Sequence, residues 1–346
     1  MIKTFLRKWR LRLGKLLFDQ GNKNYNSEDI EKILFIRYDG KIGDYIISSF
    51  MFREIKKQRP EIKIHAVVHS SNLSLYQNNE YIDKIFILSQ RNYIPIIRLA
   101  LQLKKQNYDT LFDSNIQQKN RDLLLIRLTN AKINLGYCKE NYNFFQKNVS
   151  YQRDHLRVVL QKMLQKIGIE ISNLYYDLPY DAKSEQNVET FFKEKNIKNP
   201  ISLNWFGDHF NKKFDQKNAL KLLNILQTKI PNQPIIILIY PQVKEKVKSW
   251  LKNVNLSDIF IYEKTEQIED NIEIIKKSIG LITPDTSLIH IASALGIKIL
   301  GFYDQSPKTH LEWSPVDTEY EMIFYKKTVN DINFSEVEQK IQQLFC

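Results

Sequence analysis

The sequence predicts an α/β protein made of two doubly wound parallel-sheet domains, and three observations lead there. Apolar runs of strand length alternate with helical patterns. The alternation stops at a polar stretch and then starts again. Two strand-to-helix corners carry small and charged residues at the place where open α/β sheets bind ligands. A chain of 346 residues has room for two such domains.

The first domain opens on "KILFIR" at 32–37, a continuous apolar run of the kind a strand buried on both faces requires. It is followed by "IKIHAVV" at 62–68, "KIFIL" at 84–88 and "DTLFD" at 109–113, with helical stretches between them. After "YYDLPYDAKSEQN" at 175–187 the pattern resumes with "PISLNWF" at 200–206, "PIIILIY" at 234–240, "DIFIY" at 258–262, "IGLIT" at 279–283 and "IKILGFY" at 297–303. The halves share no sequence repeat, so any duplication is one of architecture. At the end, "NFSEVEQKIQQLF" carries a Ser335-to-Glu338 capping-box spacing ahead of Val337, Ile341, Leu344 and Phe345, which predicts a final amphipathic helix. The expected division is an N-terminal extension over 1–30, domains over 31–180 and 181–330, and a C-terminal helix over 331–346.

Composition narrows the class. Apolar residues make up 43% and charged residues 26%, as in a folded globular chain. The formal charge of +12 calls for an anionic partner: a nucleic acid, an anionic membrane surface or a phosphorylated substrate. Cys138 and Cys346 make neither a disulfide framework nor a zinc site, which fits a reducing compartment. No apolar run reaches bilayer-spanning length.

The extension has its own pattern. Lys3, Arg7, Lys8, Arg10, Arg12 and Lys15 interrupt any signal-peptide core. At about 100° per residue, Ile2, Phe5, Leu6, Trp9, Leu13, Leu16 and Leu17 share one face, with Leu11 the exception. Such a helix lies in the headgroup region of an anionic leaflet or docks on its own domain.

The first corner is "RYDGKIGD" at 37–44. Its glycine spacing matches neither a phosphate loop nor a dinucleotide fingerprint, but Gly40 and Gly43 permit a tight turn beside a ligand. Asp44, near the helix start, is a helix cap or a general base, and Asp39 offers the same choice. The second corner is "LITPDTSLIHIASALG" at 281–296, a buried strand, then Asp285, Thr286 and Ser287, then a helix. Its free N–H groups suit a pyrophosphate, and Asp285 or Thr286 alternatively caps the helix. His290 is a structural histidine or a phosphate contact. In "NWFGDHFNKKFD" at 204–215, Lys212 and Lys213 neutralise phosphate or are ordinary solvated surface, and His209 has no assigned role.

These residues resemble glycosyltransferase family 9, the bacterial heptosyltransferases of the lipopolysaccharide or lipooligosaccharide core. The resemblance is carried by "ILFIRYDGKIGDYIISSFMFREIKKQRPEIKIHAVV", "YDTLFDSNIQQKNRDLLLIRLTNAKINLGY" and, most specifically, "ITPDTSLIHIASALGIKILGFY". It implies a GT-B fold whose first domain binds the acceptor and whose second binds the nucleotide sugar, without a metal or other cofactor. By position it implies Asp44 as catalytic base in an inverting transfer, Lys212 on the phosphates, and Asp285, Thr286, Ser287 and His290 at the donor. Asp39, Gly40, Lys41 and Gly43 form the acceptor-side loop. Ser287 stands where the family usually has glycine, "FYDQSP" replaces a Phe-Gly-Pro-Thr-type turn, and Phe214 stands where tryptophan is common.

The resulting expectation is transfer of heptose from ADP-heptose to a lipid-linked oligosaccharide core. The enzyme would be cytoplasmic, peripheral on the inner face of the inner membrane, held there through residues 1–20. Other readings are another nucleotide-sugar donor, an inactive sugar-nucleotide-binding protein, and a nucleic-acid-binding protein, which lacks any matching motif.

Overall fold

The computed structural model describes residues 9, 11–12, 14–19, 30–90, 92–116, 118–255 and 257–346, with the side chains of 307–309 excepted. By internal contacts the chain divides into two compact units, Met1–Leu174 and Tyr175–Cys346. The division falls at the start of the polar stretch, six residues ahead of the expected 180/181 boundary.

In the first unit the elements run β1 (Lys32–Arg37), α1 (Ile42–Gln58), β2 (Lys63–Val68), α2 (Leu73–Gln77), β3 (Lys84–Ile87), α3 (Tyr93–Lys104), β4 (Thr110–Asp113), α4 (Asn120–Thr129), β5 (Ile133–Tyr137), β6 (Lys147–Val149) and α5 (Leu156–Gln165). The second runs α6 (Ala182–Glu194), β7 (Ile201–Leu203), α7 (Gln216–Lys229), β8 (Ile235–Ile237), α8 (Lys244–Leu251), β9 (Ile259–Ile261), α9 (Ile268–Lys276), β10 (Gly280–Pro284), α10 (Ser287–Ala294), β11 (Lys298–Asp304), α11 (Pro307–Glu312), β12 (Tyr320–Tyr325) and α12 (Phe334–Phe345).

Each unit holds one six-stranded sheet, β3-β2-β1-β4-β5-β6 in the first and β12-β11-β10-β7-β8-β9 in the second. All their pairings are parallel. Counted within its own unit, the second order is the first read from the other edge, so both are the 3-2-1-4-5-6 winding of dinucleotide-binding folds. The duplication is therefore architectural. In each sheet the strand order reverses beside the first strand, between β1 and β4 and between β7 and β10. A crevice opens there at the carboxyl ends of the strands.

Burial follows the apolar runs. Ile33, Leu34, Ile64, Val67 and Leu111 are fully buried in the first sheet, and Ile201, Leu203, Ile235, Leu281, Ile282 and Leu300 in the second. Each side chain of this size stabilises by about 1.5–3 kcal/mol relative to exposure. Strands β5, β6 and β12 are additions to the nine predicted runs. The last helix lies where its periodicity places it, with Val337, Ile341 and Leu344 in the second core. Its cap is corrected: Asn333, not Ser335, is the N-cap, and its side chain accepts from the Ser335 N–H at 3.0 Å.

The end of the first unit is fastened to α1. Glu54, fully buried, accepts from the Ser172 N–H at 2.9 Å, the Ser172 hydroxyl at 2.8 Å and the Asn173 N–H at 3.3 Å. Of the N-terminal extension, the described residues are helical through Phe18. Ile2, Phe5, Leu6 and Leu13 of its apolar face lie outside the described residues. Phe18 packs against the first core and the buried Asp19 accepts from the Phe144 N–H at 3.0 Å, so this helix end docks on its own unit. Trp9, Leu16 and Leu17 face outward, at 51%, 77% and 67% exposure.

Candidate functional site

Both predicted corners sit at the switch points of their sheets. In the first unit, β1 delivers Arg37 to the carboxyl edge and the chain then turns through Gly40 into α1. Gly40 has φ +79°, a left-handed conformation, and a Cβ there would come within 2.6 Å of the Ser71 hydroxyl. Both facts call for glycine. Gly43, by contrast, is already inside α1 and has no positive φ.

Asp44 is not the cap. The N-cap is Lys41, which makes no side-chain capping bond, and Asp44 lies in the first helical turn, 6% exposed. Its carboxylate forms an ion pair with the Arg37 guanidinium. Arg37 also reaches Asp39 at 3.3 Å and donates to the Ser114 hydroxyl, beyond the end of β4, at 3.0 Å. Asp39 accepts from the Lys41 N–H at 3.3 Å, which shapes the loop. Arg37 thus ties the two strands of the switch point together and holds Asp44 at their end. A cavity lined by Arg37, Asp44, Ser48, Tyr76 and Ser114 opens at this point.

The electrostatics suit a proton acceptor. Burial pushes the Asp44 carboxyl above the usual carboxylate range, and Arg37 offsets this only in part. Burial disfavours the Arg37 cation, but Asp44 and Asp39 outweigh it and hold its pKa above the ordinary value.

Next to this group lies a buried lysine that the sequence reading passed over. Lys139, 1% exposed, donates to the Asn115 carbonyl and lies 3.7 Å from Asp113, whose carboxylate also accepts from Asn115 Nδ2 at 2.9 Å and from Gln118. It fastens the loop after β4. Arg37 was missed as well, although a lone cation ending an apolar strand before a glycine turn is a readable signal.

In the second unit, Asn204 follows β7 and locks the loop: its Nδ2 donates to the Thr283 hydroxyl and to the Phe206 carbonyl, each at 2.9 Å. The loop folds back so that the Gly207 N–H donates to the Lys212 carbonyl at 2.9 Å. A Cβ on Gly207 would fall 2.7 Å from Lys212 Cβ and 3.3 Å from Thr286 Cγ2, so this close approach brings Lys212 to the start of α10. Lys212 Nζ pairs with Asp285 at 2.5 Å. Burial raises the Asp285 pKa and Lys212 opposes it.

Thr286 is the N-cap of α10, its hydroxyl accepting from the Leu288 N–H at 3.3 Å, while Asp285 is taken up by Lys212 and its own N–H donates to the Phe302 carbonyl at 2.9 Å. Ser287 is the first helical residue and half-buried. His290, 2% exposed, packs its ring against Tyr176 and Trp313 with centroids 6.4 and 5.9 Å away. Lys213 closes the loop through backbone bonds, and His209 is exposed.

The two corners are chemically complementary. One holds a desolvated carboxylate able to take a proton, and the other offers a lysine beside the N-terminus of α10, a setting for phosphate. Among the described residues no cluster of three or more His, Cys, Asp or Glu could hold a metal ion, and no helix is long and apolar enough to cross a membrane.

Residues 96–341 match the family model described as glycosyltransferase family 9 (heptosyltransferase). A protein of Escherichia coli strain K12, provisionally named lipopolysaccharide heptosyltransferase 4, is 22% identical, covering 99% of this chain and 96% of that protein. Among solved structures, a glycosyl transferase family 9 protein from Veillonella parvula superposes with a TM-score of 0.75 at 15% identity, covering 93% of this chain and 99% of that one. The E. coli ADP-heptose lps heptosyltransferase II superposes with a TM-score of 0.70 at 13% identity, covering 90% and 98%. These likenesses in shape assign the GT-B architecture to the two parallel sheets.

Proposed function

The chain belongs to glycosyltransferase family 9, the heptosyltransferases, and we propose that it moves heptose from ADP-heptose to the core of a lipooligosaccharide or lipopolysaccharide by inverting, metal-independent transfer. The observation that carries this is the pairing of site types at matching switch points: Arg37 with Asp44 in one unit, Lys212 with Asp285 and Thr286 in the other.

Asp44 takes the proton of the acceptor hydroxyl as that oxygen bonds to the anomeric carbon from the face opposite the leaving group. The bond from the anomeric carbon to the diphosphate oxygen breaks, and its electron pair leaves with ADP. Lys212 and the N–H groups at the start of α10, around Thr286 and Ser287, neutralise the diphosphate as its charge grows. Asp285 orients Lys212. His290 acts from α10 through its packing on Tyr176 and Trp313, and Asp39, Gly40 and Lys41 shape the acceptor side. The first unit takes the acceptor and the second the nucleotide sugar.

A lipid-linked acceptor places the enzyme at the cytoplasmic face of the inner membrane, where residues 1–20 hold it. The outward Trp9, Leu16 and Leu17, together with the basic residues of this segment, support that reading. The test is release of ADP and a mass gain of one heptose when the purified protein meets ADP-heptose and a truncated core, unchanged by a chelator. Transfer from a different nucleotide sugar alone would reassign the donor. Inhibition by chelator that a divalent ion reverses would overturn the metal-free route.

A further inference from the structure

The strongest unassigned feature is the outer face of α3. At about 100° per residue, its buried arc is Ile96, Leu99, Ala100 and Leu103, all in the first core. The adjoining arc, apolar but for Lys104, points to solvent: Tyr93 is 51% exposed, Ile94 72%, Ile97 38% and Leu101 50%. Exposed apolar residues are ordinary when scattered, but four in one stripe of a single helix are not. The charges are of one sign. The stretch "RNYIPIIRLALQLKKQ" at 91–106 contains Arg91, Arg98, Lys104 and Lys105 and no acidic residue.

The N-terminal helix has the same character. Its docked end, Phe18, covers the core that α3 covers, its exposed residues are Trp9, Leu16 and Leu17, and the first eighteen residues hold six basic side chains (Lys3, Arg7, Lys8, Arg10, Arg12 and Lys15) with no Asp or Glu.

We infer that the outer face of α3 is a second membrane-contacting surface, seated in the headgroup region of an anionic bilayer beside the N-terminal helix. Apolar area and cations add in that setting, and an aromatic ring such as Tyr93 sits at headgroup depth. A second copy of the chain is a poor occupant, because a two-fold contact would set a face whose charges are all positive against itself. Two attachments also hold the first unit in one orientation to the surface, where a single terminal helix would leave it free to swing. The inference rests on the lipid-linked acceptor reading only for its purpose; the surface itself is a property of α3.

The experiment uses the full chain and sedimentation with vesicles of phosphatidylglycerol in phosphatidylcholine, against phosphatidylcholine alone. Ile94→Ser/Ile97→Ser/Leu101→Ser is expected to lower partition onto anionic vesicles by roughly tenfold or more, with the ADP-induced melting shift and turnover on a soluble acceptor unchanged. Arg98→Glu/Lys104→Glu/Lys105→Glu leaves the apolar stripe in place and is expected to lose binding most at low salt; it decides the matter if the serine variant folds poorly. Full vesicle binding by both variants would overturn the inference, and loss on deleting residues 1–20 would then leave the terminal tether standing alone. A wild-type dimer dispersed by the serine variant would assign the face to a second copy instead. Wild-type protein that ignores anionic vesicles would end both readings.

Discussion

Arg37 and Asp44, seven residues apart, meet across the turn that joins β1 to α1, and the second arm of the same guanidinium reaches Ser114 after β4 at 3.0 Å. The pair fixes a desolvated carboxylate in the first turn of α1. Its protonation state is set by burial, which with Asp39 raises the pKa, against Arg37 and, more weakly, Lys41.

Replacing Arg37 moves the acid limb of activity. Burial already holds Asp44 above the ordinary carboxylate range, and Arg37 is the main influence drawing it back. In Arg37→Met the larger opposing influence is gone, so the kcat/KM profile is expected to lose activity at a higher pH than wild type, with the deficit larger at pH 6 than at pH 8. The carboxylate left unpaired costs stability on the order of 3 kcal/mol at neutral pH. An acid limb that stays in place would separate Arg37 from the protonation of Asp44.

The Lys212–Asp285 pair gives a binding prediction. Lys212→Met removes the cation at the start of α10 and is expected to raise the Kd for ADP roughly tenfold or more, as for loss of a charge-assisted contact of about 1.5–3 kcal/mol. In Asp285→Asn the lysine remains but is no longer held, and a smaller rise is expected. Calorimetry on both variants checks the order, and equal affinity for ADP in wild type and Lys212→Met would remove the lysine from the phosphate site.

His65 supplies a pH dependence of stability. Burial lowers its pKa to about 4, with Lys32 and Lys84 adding to the effect, and the ring is held by the Tyr108 hydroxyl at 2.8 Å. The folded value lies below the unfolded value of about 6.5. Its contribution is thus complete above pH ~6.5 and is lost as pH falls towards the folded value, a loss on the order of 2 kcal/mol. Urea titrations of wild type and His65→Gln between pH 7 and 4 are expected to diverge, the variant showing the shallower acid decline.

Glu54 provides the opposite kind of test, one of anchoring. Burial pushes its carboxyl up, but the bonds from Ser172 and Arg53 outweigh it and hold the pKa below the ordinary 4.5. Its contribution is present above pH 4.5 and fades as pH falls through the depressed value. Glu54→Ala leaves the Ser172 donors without their acceptor and is expected to cost about 2–3 kcal/mol. Amide exchange at Ser172 and Asn173 should quicken in the variant, and unchanged protection there would contradict the anchoring role.

Much of the fold was legible because doubly buried parallel strands read as unbroken apolar runs, as in "KILFIR" and "PIIILIY". The edge strands β6 and β12 escaped because an edge needs less burial: Lys147–Val149 is only three residues long, and Tyr320–Tyr325 buries only Ile323 and Tyr325. Both corners were legible as corners. Their internal chemistry was not, since Arg37 with Asp44 and Lys212 with Asp285 depend on how the turns fold back, and Lys212 and Asp285 are 73 residues apart in sequence. Cap identity was legible at Thr286, one of the two candidates there, but not at the last helix or at α1. Asp44, Ser335 and Asn333 are all acceptable caps by residue type, and the helix start alone decides among them.

The most direct measurement is turnover of Asp44→Asn with ADP-heptose and the truncated core, set beside its affinity for ADP. The side chain keeps its size but can no longer take a proton. The expected result is a fall in kcat of at least about a thousandfold with ADP binding close to wild type, while the Arg37 guanidinium, having lost its charged partner, lowers the melting temperature. A variant that turns over within a few-fold of wild type would show that the acceptor proton goes elsewhere and that Asp44 is not the base.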